Sequence, residues 1–269
     1  MDFDSVIFDL AAPSSKKFDL LSTNWPTSTD LYFRAKQKEI IDQYAAARIF
    51  LRETETDDWK HWFSETEDKV ANSAFKLIFT SYFFETALMY YNIVVDLSWT
   101  LCYVSAEFAC SHKGQRVDFS GMKSIDDAAI LLRSAENNVT PPTAETNPFA
   151  YLKAMNSDFS KAIDLIVDFW NTFSSTTIRS RYNYCKHKGK PAYSEIEELR
   201  GGRLFETFIE ETGTGKNTQL ATDIADVQYQ FSLNEGIEEL HKFDNNVLYQ
   251  YLKDLLNELE KVIQPSPMI

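Results

Sequence analysis

Apolar residues recur at helical spacing through most of the 269-residue chain. After the turn chemistry of Asn24-Trp25-Pro26-Thr27, residues Ser28, Thr29 and Asp30 offer N-caps to a helix reaching about Arg52. Its apolar positions include Leu31, Ile40, Ile41, Tyr44 and Ala47. A second, unusually long helix spans about Glu65 to Ser111 and is apolar almost all round, the pattern of a helix buried on every side. Gly114 and Gly121 follow it, Asp126 or Asp127 opens a short helix to about Glu136, and Asn137 to Pro148 reads as a loop. The next helix runs from about Phe149 to Lys188, with Ser174-Ser175-Thr176-Thr177 as its point of bending. Lys186, His187 and Lys188 in its last turn, then Gly189 and Pro191, mark its end. Leu204 to Glu210, a turn at Thr212 to Asn217, and the alternation Val227, Tyr229, Phe231 predict a β-hairpin insertion over 203–231. A last amphipathic helix from about Asn245 to Ile263 carries Val247, Leu248, Tyr251, Leu252, Leu255, Leu256, Leu259 and Ile263.

The pattern therefore predicts a mainly α protein: an antiparallel helical bundle of long helices with one small β-hairpin. An extended N-terminal arm at 1–28 precedes a single domain at 29–269. Only 8 Gly and 8 Pro agree with long helices and disfavour a turn-dense β architecture. The apolar stretch Leu77 to Ala109 is cut by Glu85, Asp96 and Glu107 into uncharged runs no longer than 10 residues. A spanning helix needs about 20, so no membrane segment is expected. The first residues are acidic rather than basic, unlike a secretory leader. Cys102, Cys110 and Cys185 are odd in number and lack CxxC spacing, which fits reduced thiols in a cytoplasmic protein.

Familiar catalytic motifs fail. Thr212-Gly213-Thr214-Gly215-Lys216-Asn217 is a turn and not a P-loop, since Glu210 and Asn217 stand where Gly and Ser or Thr are needed. His61, His112 and His241 are isolated, so neither a metal site nor a cofactor is expected.

Charge adds two local features. With 27 Lys and Arg against 40 Asp and Glu, the net charge of −13 excludes a broadly basic nucleic-acid-coating protein. Residues 53–69 hold Glu53, Glu55, Asp57, Asp58, Glu65, Glu67 and Asp68 against Lys60 and Lys69, a solvated acidic run open to a basic protein partner. Between Asp168 and Glu195 the balance inverts: no acid occurs, while Arg179, Arg181, Lys186, Lys188 and Lys190 do, with His187 among them. Interleaved with Tyr182 and Tyr184, these cations suit a phosphate-bearing ligand such as RNA or a nucleotide. The same lysines also complement a helix C-terminal dipole with no ligand at all. Arg179, Asn183 and His187 share one helical face. On the long helix, Ser81, Glu85, Asn92, Asp96, Tyr103 and Glu107 keep one polar stripe in register. That stripe is either the helix's solvated face or the lining of a polar cavity in which Glu85 or Asp96 orients a basic group.

Arg181, five intervening residues and His187 near a helix end, in an all-helical setting, resemble the motif of the HEPN superfamily (higher eukaryotes and prokaryotes nucleotide-binding). That family's pattern is an Arg followed after a few residues by a His, usually with a polar residue just after the Arg. Here Tyr182 takes the following position and Asn183 comes one later. The compatible core would cover about 65–265. The resemblance implies a homodimer whose two motif helices meet, and, in catalytic members, a metal-independent endoribonuclease, often a toxin or antiviral effector. It implies that His187 moves the proton of an RNA 2′-hydroxyl, that Arg181 holds the phosphate, and that Asn183 orients either. Arg179, Tyr182, Tyr184, Lys186, Lys188 and Lys190 would bind substrate, with Glu85 and Asp96 as supporting carboxylates. A non-catalytic scaffold binding a partner through its acidic surface, and a nucleotide sensor using the basic window, remain alternatives.

Overall fold

The structure, a computed structural model, describes residues 5–7, 9–10, 24–25, 28–112, 136–137, 139–140, 142, 148–200, 203–210, 217–223, 228–263 and 266–267. In chain order its elements are β1 (Asn24–Trp25), α1 (Ser28–Glu53), a 3-10 turn (Asp58–His61), α2 (Lys69–His112) and α3 (Pro148–Met155). A second 3-10 turn (Ser157–Phe159), α4 (Ser160–Phe173), α5 (Thr177–His187), β2 (Ala192–Tyr193) and α6 (Ser194–Arg200) follow. The chain continues through β3 (Arg203–Glu210), β4 (Asn217–Asp223), β5 (Gln230–Phe231) and α7 (Leu233–Phe243). A π-helical turn (Asp244–Leu248), α8 (Tyr249–Val262) and β6 (Ser266–Pro267) complete it. The fold is mainly helical, and no helix among the described residues is long and apolar enough to cross a membrane.

The chain divides into two compact units. The first comprises Met1–Arg48, Tyr90–Thr176 and Lys242–Ile269. Its core is aromatic. Phe169 stacks on Tyr251 with ring centres 3.8 Å apart, Phe173 stacks on Phe243, and Trp99 meets Trp170 edge-on. One polar cluster lies inside it. Asp244, 2% exposed, accepts the Tyr44 hydroxyl at 2.5 Å and pairs with Arg48 at 3.5 Å. Asp244 opens the π-helical turn that leads into α8. Burial and the facing carboxylate push the Tyr44 hydroxyl far above its ordinary pKa, so it remains a donor.

The second unit comprises Ile49–Met89 and Thr177–His241. Two small sheets belong to it. β3 and β4 pair antiparallel, from Glu210 opposite Asn217 to Arg203 opposite Asp223. β2 and β5 pair in parallel, Ala192 with Gln230 and Tyr193 with Phe231. The Phe84, Tyr193 and Phe231 rings interlock edge-to-face. Gly236 on α7 is required there, because a Cβ would fall 2.9 Å from the Phe84 ring.

Several expectations are corrected. The hairpin closes at Asp223 rather than Phe231, because the Tyr229–Phe231 strand signal is used to pair with β2. The helix expected over 149–188 is broken twice. Asn156 adopts extended backbone and caps the following turn through Asp158 N–H, and at 174–176 the Thr176 hydroxyl takes the Phe173 carbonyl. The arm at 1–28 is extended only in part: Asn24–Trp25 form β1, whereas residues 5–7 and 9–10 are helical, with Val6 and Leu10 buried. The polar stripe on α2 is not a solvated face, since Ser81 and Asn92 are fully buried and Glu85, Asp96 and Tyr103 partly so. The expected helix before Glu136, the turn at 212–216, Val227 and the Glu107 and Cys110 side chains lie outside the described residues.

Removing Asp244 takes a carboxylate partner from the Arg48 guanidinium, whose side chain is only 10% exposed. Asp244→Ala is expected to lower stability by about 3–5 kcal/mol. Tyr44→Phe, which leaves the ion pair, should cost only about 1–3 kcal/mol. Urea unfolding of both variants checks the order.

Candidate functional site

The basic residues of the acid-free window, Arg179 to Lys190, fall on α5 and the turn after it, within the second unit. Thr177 opens the helix, and its hydroxyl donates to Glu239 on α7 at 2.8 Å. Ile178, Arg181 and Tyr182 form the buried face, at the one-turn spacing expected of a helix lying on a core. The helix stops where the sequence places its stop. Lys188 N–H and Gly189 N–H both reach the Tyr184 carbonyl, at 2.8 and 3.2 Å, and Gly189 takes φ +115°.

Arg181 is 5% exposed and turned into the unit. Its guanidinium donates to the Glu239 carboxylate at 2.5 Å and lies over the Phe231 ring, 4.3 Å from its centre. A guanidinium engaged by a carboxylate and a π face and turned away from solvent is not held ready for an incoming phosphate. His187 sits six residues on and is exposed, together with Asn183, Lys186 and Lys188. Arg181 and His187 therefore occupy different faces of α5, and within one copy their side chains do not meet.

The remaining window residues divide between packing and surface. Arg179 covers the Tyr182 ring at 4.9 Å, and Lys186 approaches the same ring at 5.6 Å. Tyr184, half-buried, packs against Tyr229 and accepts its backbone N–H at 3.3 Å. Cys185 is held as a thiol: burial, then the nearby Glu85 charge, push it up to about 11.

Lys190 brings two parts of the sequence reading together. Its ammonium lies 3.4 Å from Glu85, 3.2 Å from the Ser81 hydroxyl and 4.0 Å above the Tyr82 ring. The Tyr193 hydroxyl donates to the same Glu85 carboxylate at 2.7 Å. A cavity of about 330 Å³ opens beside this group, lined by Tyr82, Lys190, Tyr193, Ile196, Glu197 and Gln228 among others. Glu85 thus orients a basic group of the window, whereas Asp96 belongs to the other unit. Among the described residues, no three His, Cys, Asp or Glu side chains are grouped to hold a metal.

Sequence reasoning missed Glu239 and Glu195. Glu239 lies 58 residues from Arg181 on a separate helix, with no motif linking the two. Glu195 caps α7 from outside: it accepts the Leu233 and Asn234 N–H groups at 2.8 and 3.1 Å and the Ser232 hydroxyl at 2.7 Å. Partial burial works against its charge, but the Ser232 and backbone donors outweigh this and hold the carboxyl below its usual range. Compared with protein-family profiles, curated proteins and solved structures, the chain matches none.

Two outcomes follow from these carboxylates. The stabilisation from Glu195 is fully present above its ordinary value of 4.5 and is lost as pH falls through the lower folded value. The stability gap between wild type and Glu195→Gln should be constant above that value and shrink below it, measured by urea unfolding at stepped pH. Glu239→Gln leaves the Arg181 charge buried without its counterion. Because Glu239 itself is partly exposed, the expected cost is about 1–3 kcal/mol, less than for a fully buried pair.

Proposed function

We propose that the chain is a HEPN-like RNA-binding protein whose basic α5 end holds RNA phosphates and whose His187 cleaves RNA without a metal when two copies meet. One observation carries this reading. Within the acid-free window Asn183, Lys186, His187, Lys188 and Lys190 are exposed together, while Arg181 is buried and neutralised.

The reading moves phosphate recognition from Arg181 to the lysines and gives Arg181 a positioning role, fixing α5 through Glu239 and Phe231. In the reaction, the RNA 2′-oxygen attacks the adjacent phosphorus as its proton passes to a base. The 5′-oxygen bond breaks as an acid supplies a proton, leaving a 2′,3′-cyclic phosphate. A single imidazole cannot begin the step in both protonation states, whereas two α5 ends brought together supply two His187 side chains. Lys186 and Lys188 would face the charge that develops on the phosphoryl oxygens. The cavity beside Lys190, walled by Tyr82 and Tyr193, favours a second reading in which a nucleotide is bound and not turned over.

Single-stranded RNA incubated with the protein in EDTA should yield 2′,3′-cyclic phosphate ends, and His187→Ala should abolish cleavage while RNA binding persists. Lys186→Ala with Lys188→Ala should weaken binding and flatten the plot of log affinity against log salt by about 0.7 per lysine removed. Light scattering should report a dimer. Binding without any cleavage would select the second reading, and absence of RNA and nucleotide binding would sink both.

A further inference from the structure

The N-terminal part of α2 and the turn before it present apolar side chains where a globular surface ordinarily does not. From His61 to Thr80 no residue is buried, although the segment includes Trp62, Phe63, Val70, Phe75, Leu77, Ile78 and Phe79. Trp62 is 72% exposed, Val70 57% and Phe63 38%. These side chains are not randomly splayed. Phe63 stacks on Phe75 with the rings 2° from parallel and centres 5.1 Å apart, and Trp62 leans on Phe79 at 6.0 Å. Phe79 meets Phe83 edge-on at 4.9 Å, and Phe83 stacks on Phe50. The result is a pre-ordered aromatic row, entirely within the second unit, whose outer edge is open. Aromatic residues carry a large apolar area at low entropic cost, and an exposed contiguous group of them marks an interaction surface.

The surrounding charge says what covers it. The row is flanked by Asp57, Asp58, Glu65, Glu67 and Asp68 against Lys60, Lys69 and Lys76, and two of these three lysines are engaged locally. Lys60 lies 3.7 Å from Glu65, and Lys76 2.6 Å from Asp57. The acids therefore exceed the cations around an apolar centre, which complements a partner with apolar and basic faces. A second copy of this chain fits poorly. A two-fold interface would place the same acids against one another. The chain's own basic window offers only Asn183, Lys186, His187, Lys188 and Lys190 at its exposed end, with no apolar anchor among them.

We infer that Trp62, Phe63 and the row Phe75–Phe79 form a docking surface for a basic amphipathic helix of another protein, with Glu65 and Glu67 pairing to its cations. Trp62 is the anchor, being the largest side chain and the most exposed. None of the α5 cations belongs to this surface, although its Ile78 also lines the cavity beside Lys190, so it provides a means of tethering or restraining the protein that leaves Lys186 and Lys188 unused.

The probe is a synthetic peptide of about 14 residues, with leucines on one helical face and lysines on the other, titrated into the full chain by calorimetry. A peptide of identical composition in scrambled order is the control. The amphipathic peptide should bind at least about tenfold more tightly than the scrambled one, and Trp62→Ala should remove about tenfold of that affinity. Glu65→Lys with Glu67→Lys should weaken binding and remove most of its salt dependence. RNA binding and His187-dependent chemistry should be unchanged in both variants, so failure here is separable from failure of the RNA reading. Equal binding of the two peptides, or indifference to Trp62→Ala, would overturn the inference. So would a dimer that dissociates on Trp62→Ala, which would assign the surface to a second copy.

Discussion

The pairing of Arg181 with Glu239 is the constraint on which the second unit turns. A guanidinium cannot lose its charge, so once the spacing of α5 directs Arg181 inward, the interior must supply a counterion. Glu239 does so, and Thr177 and Phe231 complete the environment. The pair joins α5 to α7, and α7 is in turn capped by Glu195 from the start of α6. Three helices are thus registered by two carboxylates. The same pair removes the strongest phosphate-binding group from the surface, leaving lysines and one imidazole to define the α5 end.

The other unit uses the same logic with different residues. Asp244 opens the π-helical turn, and both of its oxygens are used, one by Tyr44 and one by Arg48. In each unit the charged group turned into the aromatic interior, Asp244 in one and Arg181 in the other, arrives with a partner of opposite charge, which is the condition for such groups to persist. They specify orientation more than they add stability: an aromatic core alone tolerates many packings of similar energy, whereas a carboxylate with two fixed donors tolerates one.

The surface separates two chemistries. At the end of α5, cations stand beside small polar groups with no apolar centre. Along the start of α2, stacked rings stand within an acidic frame. Within a chain at −13, the window between Asp168 and Glu195 is a stretch from which acids are absent. The two surfaces differ in charge sign as well as in apolar content, and the net charge of −13 is an average over both.

Much of the fold was legible in the sequence because its signals are local. Helical periodicity placed α1 and α2 within a few residues of their ends, and Lys186 to Gly189 marked the stop of α5, since capping and backbone freedom act over one turn. What the sequence could not decide was partnership. Tyr229 and Phe231 carry a genuine strand signal, but only the packed structure pairs them with β2 rather than with the hairpin. The stripe on α2 is periodic whether it faces water or a lysine, and Lys190 comes to Glu85 from more than a hundred residues away. Arg181 and His187 can be read as a motif, yet which of them faces solvent depends on Glu239 and Phe231. By itself the sequence determined which segments are helical and where their charges concentrate, because those follow from propensity and composition. The tertiary structure decided which charges are spent inside and which remain available, because burial and ion pairing are properties of neighbours distant along the chain.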